Sequence, residues 1–163
     1  MSSTMDIHSQ HGYPSGALSN FPARSFVFDG VPCGSMEGLL QSLKFEDRAA
    51  QASCCALAGL QAKRAGSTRN DAWKAEQKLW WKGTAFGRES ARRSDIVASA
   101  YAEMAKACPD FAQALMATGE ATLTHSIGNP DPKDTVLTEK EFCDALTSLR
   151  EELTARPKKL PMP

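Results

Sequence analysis

The 163-residue chain carries 19 basic (Lys and Arg) and 19 acidic (Asp and Glu) residues, so its formal net charge is zero. Such a chain has no field of one sign to draw the whole protein onto nucleic acid or membrane, so a nucleic-acid ligand would need a local patch. The length suits one domain with a single core. There is no apolar run of membrane-spanning length and no signal-peptide pattern at the N-terminus. We therefore expect one domain that does not associate with membranes.

The cysteines are odd in number and never occur in the CxxC spacing. They are Cys33, Cys54, Cys55, Cys108 and Cys143. This pattern predicts reduced thiols in a cytoplasmic protein rather than a disulfide framework. The three histidines are scattered without ligand spacing, so we expect no metal site.

The first 16 residues are polar and lack an apolar period, which predicts a flexible leader over residues 1–16. The predicted domain then covers residues 17–154, and a basic, proline-rich tail covers residues 155–163. Inside the domain, residues 25–28 and 31–33 read as short strands around an Asp29-Gly30 turn.

A helix is predicted to begin after Ser35, a good N-cap, and to carry Glu37 in its first turn. Helical spacing places Gln41 and Lys44 on the same side as Glu37. An acid, an amide and a cation in a row suit a polar site. The alternative is an amphipathic helix whose polar side is simply solvated.

Basic residues follow an Ala-rich helical stretch over residues 46–60. Lys63, Arg64 and Arg69 can hold phosphate oxygens, but a solvated surface is the more ordinary role for such residues. Nothing in this segment has the pattern of a phosphate-binding glycine loop.

The three tryptophans fall within nine residues, at Trp73, Trp80 and Trp81. If Trp80 and Trp81 lie on a helix, they point about 100° apart, so one is expected in the core and the other beside a pocket. A flat indole suits stacking on a nucleobase. We predict that Trp81 is the residue on the ligand side.

The second half is predicted to be mostly helical, with a long helix over residues 88–107 and a shorter one over residues 110–117. A strand over residues 122–124 leads into an irregular loop over residues 125–137. The capping box Thr138 to Glu141 then opens the last helix. The fold class predicted is α+β: a mostly helical single domain with a small N-terminal β element.

Several short motifs follow one another at residues 17–21, 26–30, 35–37, 41–45, 62–66, 115–123 and 141–151, and together they span roughly residues 17–153. In this order they resemble the motifs of the NADAR family, whose proteins act on N-glycosidic bonds or are linked to NAD and ADP-ribose chemistry.

The resemblance implies a set of site residues. The catalytic candidates are Glu37 and an acid of the late loop, Asp131 or Asp134, of which we choose Asp134. The substrate-binding candidates are Ser19, Asn20, Phe21, Lys44, Trp81 and His125. In much of the family a tryptophan follows the late-loop acid, whereas Val136 and Leu137 stand here. No metal and no cofactor are expected.

The resemblance also implies the chemistry. The expected function is an N-glycosidase (hydrolase) that removes ADP-ribose from a modified guanine in DNA, with the ADP-ribose-bearing nucleobase or nucleotide as its partner. Cleavage of phosphorylated riboflavin-pathway intermediates is one alternative. Another is a non-catalytic module that binds an ADP-ribose-containing nucleotide or a partner protein.

Overall fold

The computed structural model describes residues 3–155, which form a mostly helical α+β domain, as the sequence predicts. The helices are α1 (Met36–Ser42), α2 (Arg48–Cys55), α3 (Gly59–Ser67), α4 (Asn70–Glu76), α5 (Ala91–Ala107), α6 (Pro109–Ala117) and α7 (Glu139–Ala155). The strands are β1 (Thr4–Asp6), β2 (Phe26–Phe28), β3 (Val31–Cys33), β4 (Lys78–Trp81), β5 (Thr84–Gly87) and β6 (Thr122–Thr124). They pair in twos: β1 with β6 in parallel, and β2 with β3 and β4 with β5 as antiparallel hairpins.

Helix α1 begins where the sequence predicts. The Ser35 hydroxyl accepts a hydrogen bond from the Gly38 N–H at 2.9 Å and donates to the Leu57 carbonyl at 2.8 Å. A Cβ on Gly38 would lie 2.5 Å from that same carbonyl oxygen, so only glycine lets α1 approach the end of α2 this closely. The cap and the glycine together fix the first turn, which carries Glu37.

The two hairpins turn on residue pairs with positive φ, the geometry that matches strand twist. Asp29 and Gly30 have φ of 50° and 79° and join β2 to β3, as predicted. Lys82 and Gly83, with φ of 49° and 84°, join β4 to β5. Trp80 and Trp81 therefore lie on strand β4, and the helical arrangement considered for them does not occur.

A buried glutamine attaches the β4–β5 hairpin to α1. The Gln51 Nε2 donates to the carbonyls of Ser42 at 3.0 Å and Trp80 at 2.8 Å. Its Oε1 accepts from the Lys82 N–H at 3.0 Å. Gln51 is thus satisfied on both sides, which a buried amide requires.

The N-terminal residues belong to the fold, contrary to the predicted flexible leader. Strand β1 pairs with β6, and Ile7 is fully buried, with its N–H donating to the Thr124 carbonyl at 2.8 Å. The leader prediction failed because β1 is short and its pairing partner lies far along the chain. Residues 1–2 and most of the predicted tail, residues 156–163, lie outside the described residues.

Helix α5 is the central element of the core. Its buried face packs against α6, α7 and β2 through residues that include Ile96, Ala100 and Met104. It begins after Ser90, slightly later than predicted, because the Ser90 hydroxyl caps it. Within residues 3–155, no helix combines the length and apolarity needed to cross a membrane.

Arg88 is 1% exposed and holds the irregular loop that precedes α7. Its Nε donates to the carbonyls of Pro132 at 2.9 Å and Thr135 at 2.8 Å. Its terminal nitrogens bind both oxygens of Glu141 at 3.1 and 2.6 Å, and Arg93 binds the same carboxylate at 2.5 Å. Burial raises the pKa of Glu141, but hydrogen bonds from Arg88 and the Thr138 N–H, together with the two guanidinium charges, outweigh it and lower that pKa from 4.5 to about 2.

We expect Glu141→Gln to lower the free energy of unfolding at neutral pH by about 3 kcal/mol, because Arg88 then keeps a buried charge without its partner. The depressed pKa means that the contribution of Glu141 is complete above about pH 4.5 and is lost as pH falls towards about 2. Urea unfolding of both proteins across that range should show the difference shrinking with acid.

The matched control is Asp144→Asn on the same helix, which removes an exposed ion pair with Lys140 and should leave the Tm nearly unchanged. Equal losses in the two variants, or a pH-independent loss in Glu141→Gln, would contradict the role given to the buried cluster.

Candidate functional site

A cavity of about 340 Å³ lies between α1, the α3–α4 segment and the loop before α7. Six of the eight predicted site residues line it: Asn20, Phe21, Glu37, Lys44, His125 and Asp134. They come from four separate parts of the chain that only the tertiary fold brings together.

Glu37 presents a carboxylate to this cavity. Its Oε1 accepts a hydrogen bond from the Gln41 amide at 3.0 Å, and within residues 3–155 it forms no ion pair. Burial raises the pKa of Glu37, while the Gln41 hydrogen bond and the charges of Lys44 and Lys63 act in the opposite direction. A partly desolvated carboxylate with a nearby cation is suited to proton transfer or to stabilising a positive charge.

Lys44 is 7% exposed, and its Nζ donates to the Asn70 Oδ1 at 2.7 Å. The same nitrogen lies 5.9 Å from the centre of the Trp73 ring. Burial lowers the pKa of Lys44 to about 8, partly offset by the charge of Glu37. Lys44 therefore remains mostly charged at neutral pH.

Asn20 is oriented by a buried tyrosine. The Tyr101 hydroxyl donates to the Asn20 Oδ1 at 2.7 Å, and the Asn20 carbonyl accepts from the Glu37 N–H at 3.1 Å. Tyr101 packs near the Phe111 and Phe142 rings, and its burial raises its pKa well above the usual value. Because Oδ1 is occupied, the Asn20 amide group is left as a hydrogen-bond donor to a ligand.

His125 is held by Ile7, the residue that follows strand β1. Its Nδ1 lies 2.7 Å from the Ile7 carbonyl, which can only accept, so Nδ1 carries the proton and Nε2 is an acceptor in the neutral ring. One residue before Ile7, the Asp6 carboxylate accepts from the N–H and hydroxyl of Ser126, each at 2.7 Å. This wall of the cavity is thus fastened to β1 at two neighbouring points.

Of the two loop acids, Asp134 lines the cavity and Asp131 does not. Asp131 shapes the loop instead, since its carboxylate accepts from the Lys133 N–H at 2.9 Å. Asp134 lies between the two carbonyls that Arg88 binds, so its backbone position is fixed although its side chain is exposed.

Two predicted residues, Trp81 and Ser19, lie elsewhere. Trp81 is 3% exposed, and its indole N–H donates to the Asp29 Oδ2 at 2.8 Å, beside the β2–β3 hairpin. Trp81 was chosen by supposing helical spacing, whereas the segment is strand β4 and Trp81 does not line this cavity. Ser19 is buried, and its hydroxyl accepts from the Phe21 N–H at 3.2 Å, which shapes the turn.

Sequence reasoning missed several contributors to the cavity. Asn70 carried no local signal, because its contact with Lys44 spans 26 positions. Tyr101 lies 81 positions from Asn20, so no local pattern pointed to their contact. Lys63 was considered as a phosphate ligand together with Arg64 and Arg69, and it alone of the three lines the cavity.

In the part of the chain that the structure describes, no three His, Cys, Asp or Glu side chains are grouped so as to hold a metal ion. The five cysteines are free thiols, and all but Cys108 are buried.

Comparison with known proteins gives one family and one fold. The sequence profile of the family described as bacteriophage protein GP30.3 matches residues 12–151. A 17.1 kDa protein from the gp30–rIII intergenic region of Enterobacteria phage T4 is 39% identical over 152 residues, covering 93% of this chain and 99% of that protein. Among solved structures, the E. coli protein YbiA, a NADAR-family protein, has a similar fold with a TM-score of 0.67, 17% identity, and coverage of 99% of this chain and 92% of YbiA.

We expect Tyr101→Phe to fold and to lose about 1 kcal/mol of unfolding free energy, because one buried hydrogen bond is removed. The Asn20 side-chain amide resonances should shift and broaden in ¹H–¹⁵N NMR spectra as the amide loses its fixed orientation. Tyr13→Phe is the matched control, since Tyr13 is 69% exposed and the chain has only these two tyrosines. Unchanged Asn20 resonances in Tyr101→Phe would contradict the orienting role.

Proposed function

We propose that this chain, which belongs to the bacteriophage protein GP30.3 family, is an N-glycosidase that removes ADP-ribose from a modified guanine in DNA. The observation that carries the proposal is the state of Glu37. Its carboxylate lines an open cavity, has a raised pKa, and is joined to a single amide rather than neutralised by an ion pair among the described residues.

Hydrolysis of an N-glycosidic bond passes through a sugar with oxocarbenium character. A carboxylate beside the anomeric carbon stabilises that cation or takes a proton from the attacking water. We assign this role to Glu37. Asp134, on the loop wall of the same cavity, is assigned to assist with water or the departing base.

The remaining lining residues are assigned to substrate binding. The Asn20 amide and the His125 Nε2 offer a donor and an acceptor for ribose hydroxyls or base edges. Phe21 is 36% exposed at the cavity and offers an apolar surface for a base. Lys44 supplies positive charge next to Glu37.

A second candidate is a module that binds an ADP-ribose-containing nucleotide without turnover. It is favoured by the cavity lining, which includes Val136 and Leu137 and, in the described chain, no tryptophan. Both candidates require the same pocket, so they are separated by turnover and not by binding.

We expect Glu37→Gln to lower the rate of ADP-ribose release from ADP-ribosylated DNA by at least about 10²-fold, the usual contribution of a positioned acid or base. Release is measured by chromatography of the products. Glu120→Gln, an exposed acid away from the cavity, should retain the full rate.

The stability of Glu37→Gln supplies an internal check. A raised pKa means that the folded protein binds this proton more tightly than the unfolded chain, so stability falls as pH rises through the shifted range. Glutamine is uncharged and does not carry the cost of a buried ionised carboxylate. At neutral pH the variant should therefore melt no lower than the wild type. A variant that folds and keeps full activity would remove Glu37 from the mechanism, and turnover in neither protein would favour the binding module.

The substrate is tested with three compounds: ADP-ribosylated DNA, the matching free nucleoside adduct and a ribosylamino-pyrimidine phosphate. We expect the DNA to be cleaved fastest, with a shallow salt dependence that reflects about two or three phosphate contacts at a slope of about −0.9 each. We expect so few phosphate contacts because the chain has zero net charge and so offers only a local group of cations to DNA. Equal or faster cleavage of the pyrimidine phosphate would instead indicate riboflavin-precursor chemistry.

A further inference from the structure

Both lysines of the cavity lie on one wall. Lys44 and Lys63 come from the wall made by α1, α3 and α4, which also carries Glu37, whereas Asp134 comes from the loop wall. We propose that Lys44, Lys63 and Asn70 form a phosphate subsite that holds the diphosphate of the ligand. The inference rests on the proposed function for the identity of that ligand.

The orientation of Asn70 follows from its partner. Lys44 can only donate, so the atom 2.7 Å from its Nζ is the side-chain oxygen Oδ1 of Asn70. The side-chain nitrogen Nδ2 is then the end that Lys44 does not bind. Asn70 therefore faces a ligand as a donor. The Lys44 ammonium has three N–H donors. One of them is hydrogen-bonded to Asn70, so the others remain for an anion.

Lys44 is also the kind of cation that an anion stabilises. Its burial disfavours the charged form and lowers its pKa to about 8. An anionic oxygen in the cavity would offset that cost, since opposite charge favours ionisation. A phosphate group supplies several such oxygens at once.

Lys63 adds a second cation, from helix α3. Its side chain is exposed, and within residues 3–155 it belongs to no ion pair. The next residue, Arg64, is also exposed and positively charged but does not line the cavity. The two neighbours thus differ in position and not in charge, which makes Arg64 a matched control for Lys63.

The test uses inorganic pyrophosphate as the probe, titrated into the ¹⁵N-labelled full chain and followed by ¹H–¹⁵N NMR. Three variants each lower the net charge by one unit: Lys63→Gln, Arg64→Gln and Asn70→Asp. The last keeps an oxygen for Lys44 but replaces the free amide donor with an anionic oxygen. We expect Lys63→Gln and Asn70→Asp each to weaken pyrophosphate binding about tenfold, the effect of one charge-assisted hydrogen bond, and Arg64→Gln to stay within about twofold of the wild type.

Equal weakening in all three variants would reduce the effect to net charge and overturn the subsite, as would wild-type affinity in Lys63→Gln. Wild-type turnover of ADP-ribosylated DNA is measured alongside. Turnover without Lys63-dependent pyrophosphate binding overturns the subsite and leaves the proposed function standing. Lys63-dependent binding without turnover supports the subsite and counts against the glycosidase.

Discussion

A guanidinium with 1% of its surface exposed holds the loop that forms one wall of the cavity. Burying the charge of Arg88 is costly. The cost is offset because both oxygens of the Glu141 carboxylate bind its terminal nitrogens and two loop carbonyls accept hydrogen bonds from its Nε–H. The loop lacks regular structure, so these bonds replace a strand or helix in fixing Asp134. Gln51 does the same for the β4–β5 hairpin, where one amide satisfies carbonyls of both segments. Long polar side chains thus position the irregular parts of this fold.

Glu37 and Lys44 are each less favourable as charges where they lie than they would be in water, and each lowers the cost for the other. The protein therefore holds two partly desolvated charged groups at some expense of stability. Burial of the apolar core around α5 supplies the stabilising free energy that offsets this cost. Such an arrangement is common where a group must exchange protons with a ligand rather than with solvent.

Local signals predicted the local structure well. The Ser35 cap, the Asp29-Gly30 turn and the box that opens α7 each act within four residues, and each is found as expected. The β4–β5 hairpin was missed although Lys82-Gly83 is a two-residue turn signal, because the neighbouring tryptophans were interpreted at a helical period. The six predicted residues that line the cavity were chosen by family resemblance and not from local signals. The contact between Tyr101 and Asn20 spans 81 positions and has no signature at either end.

The pairing of β1 with β6 has a consequence for how the molecule is made. The Ile7 carbonyl that holds His125 is synthesised 118 positions before its partner. Contacts between such distant positions must overcome a large loop-closure entropy and form only after intervening segments have been brought together. The helices can take shape during synthesis, but the His125 wall is complete only when nearly all the described chain has emerged. A translation product that stops before β6 would have Glu37 on α1 and Lys44 just after it, without the loop wall of the cavity.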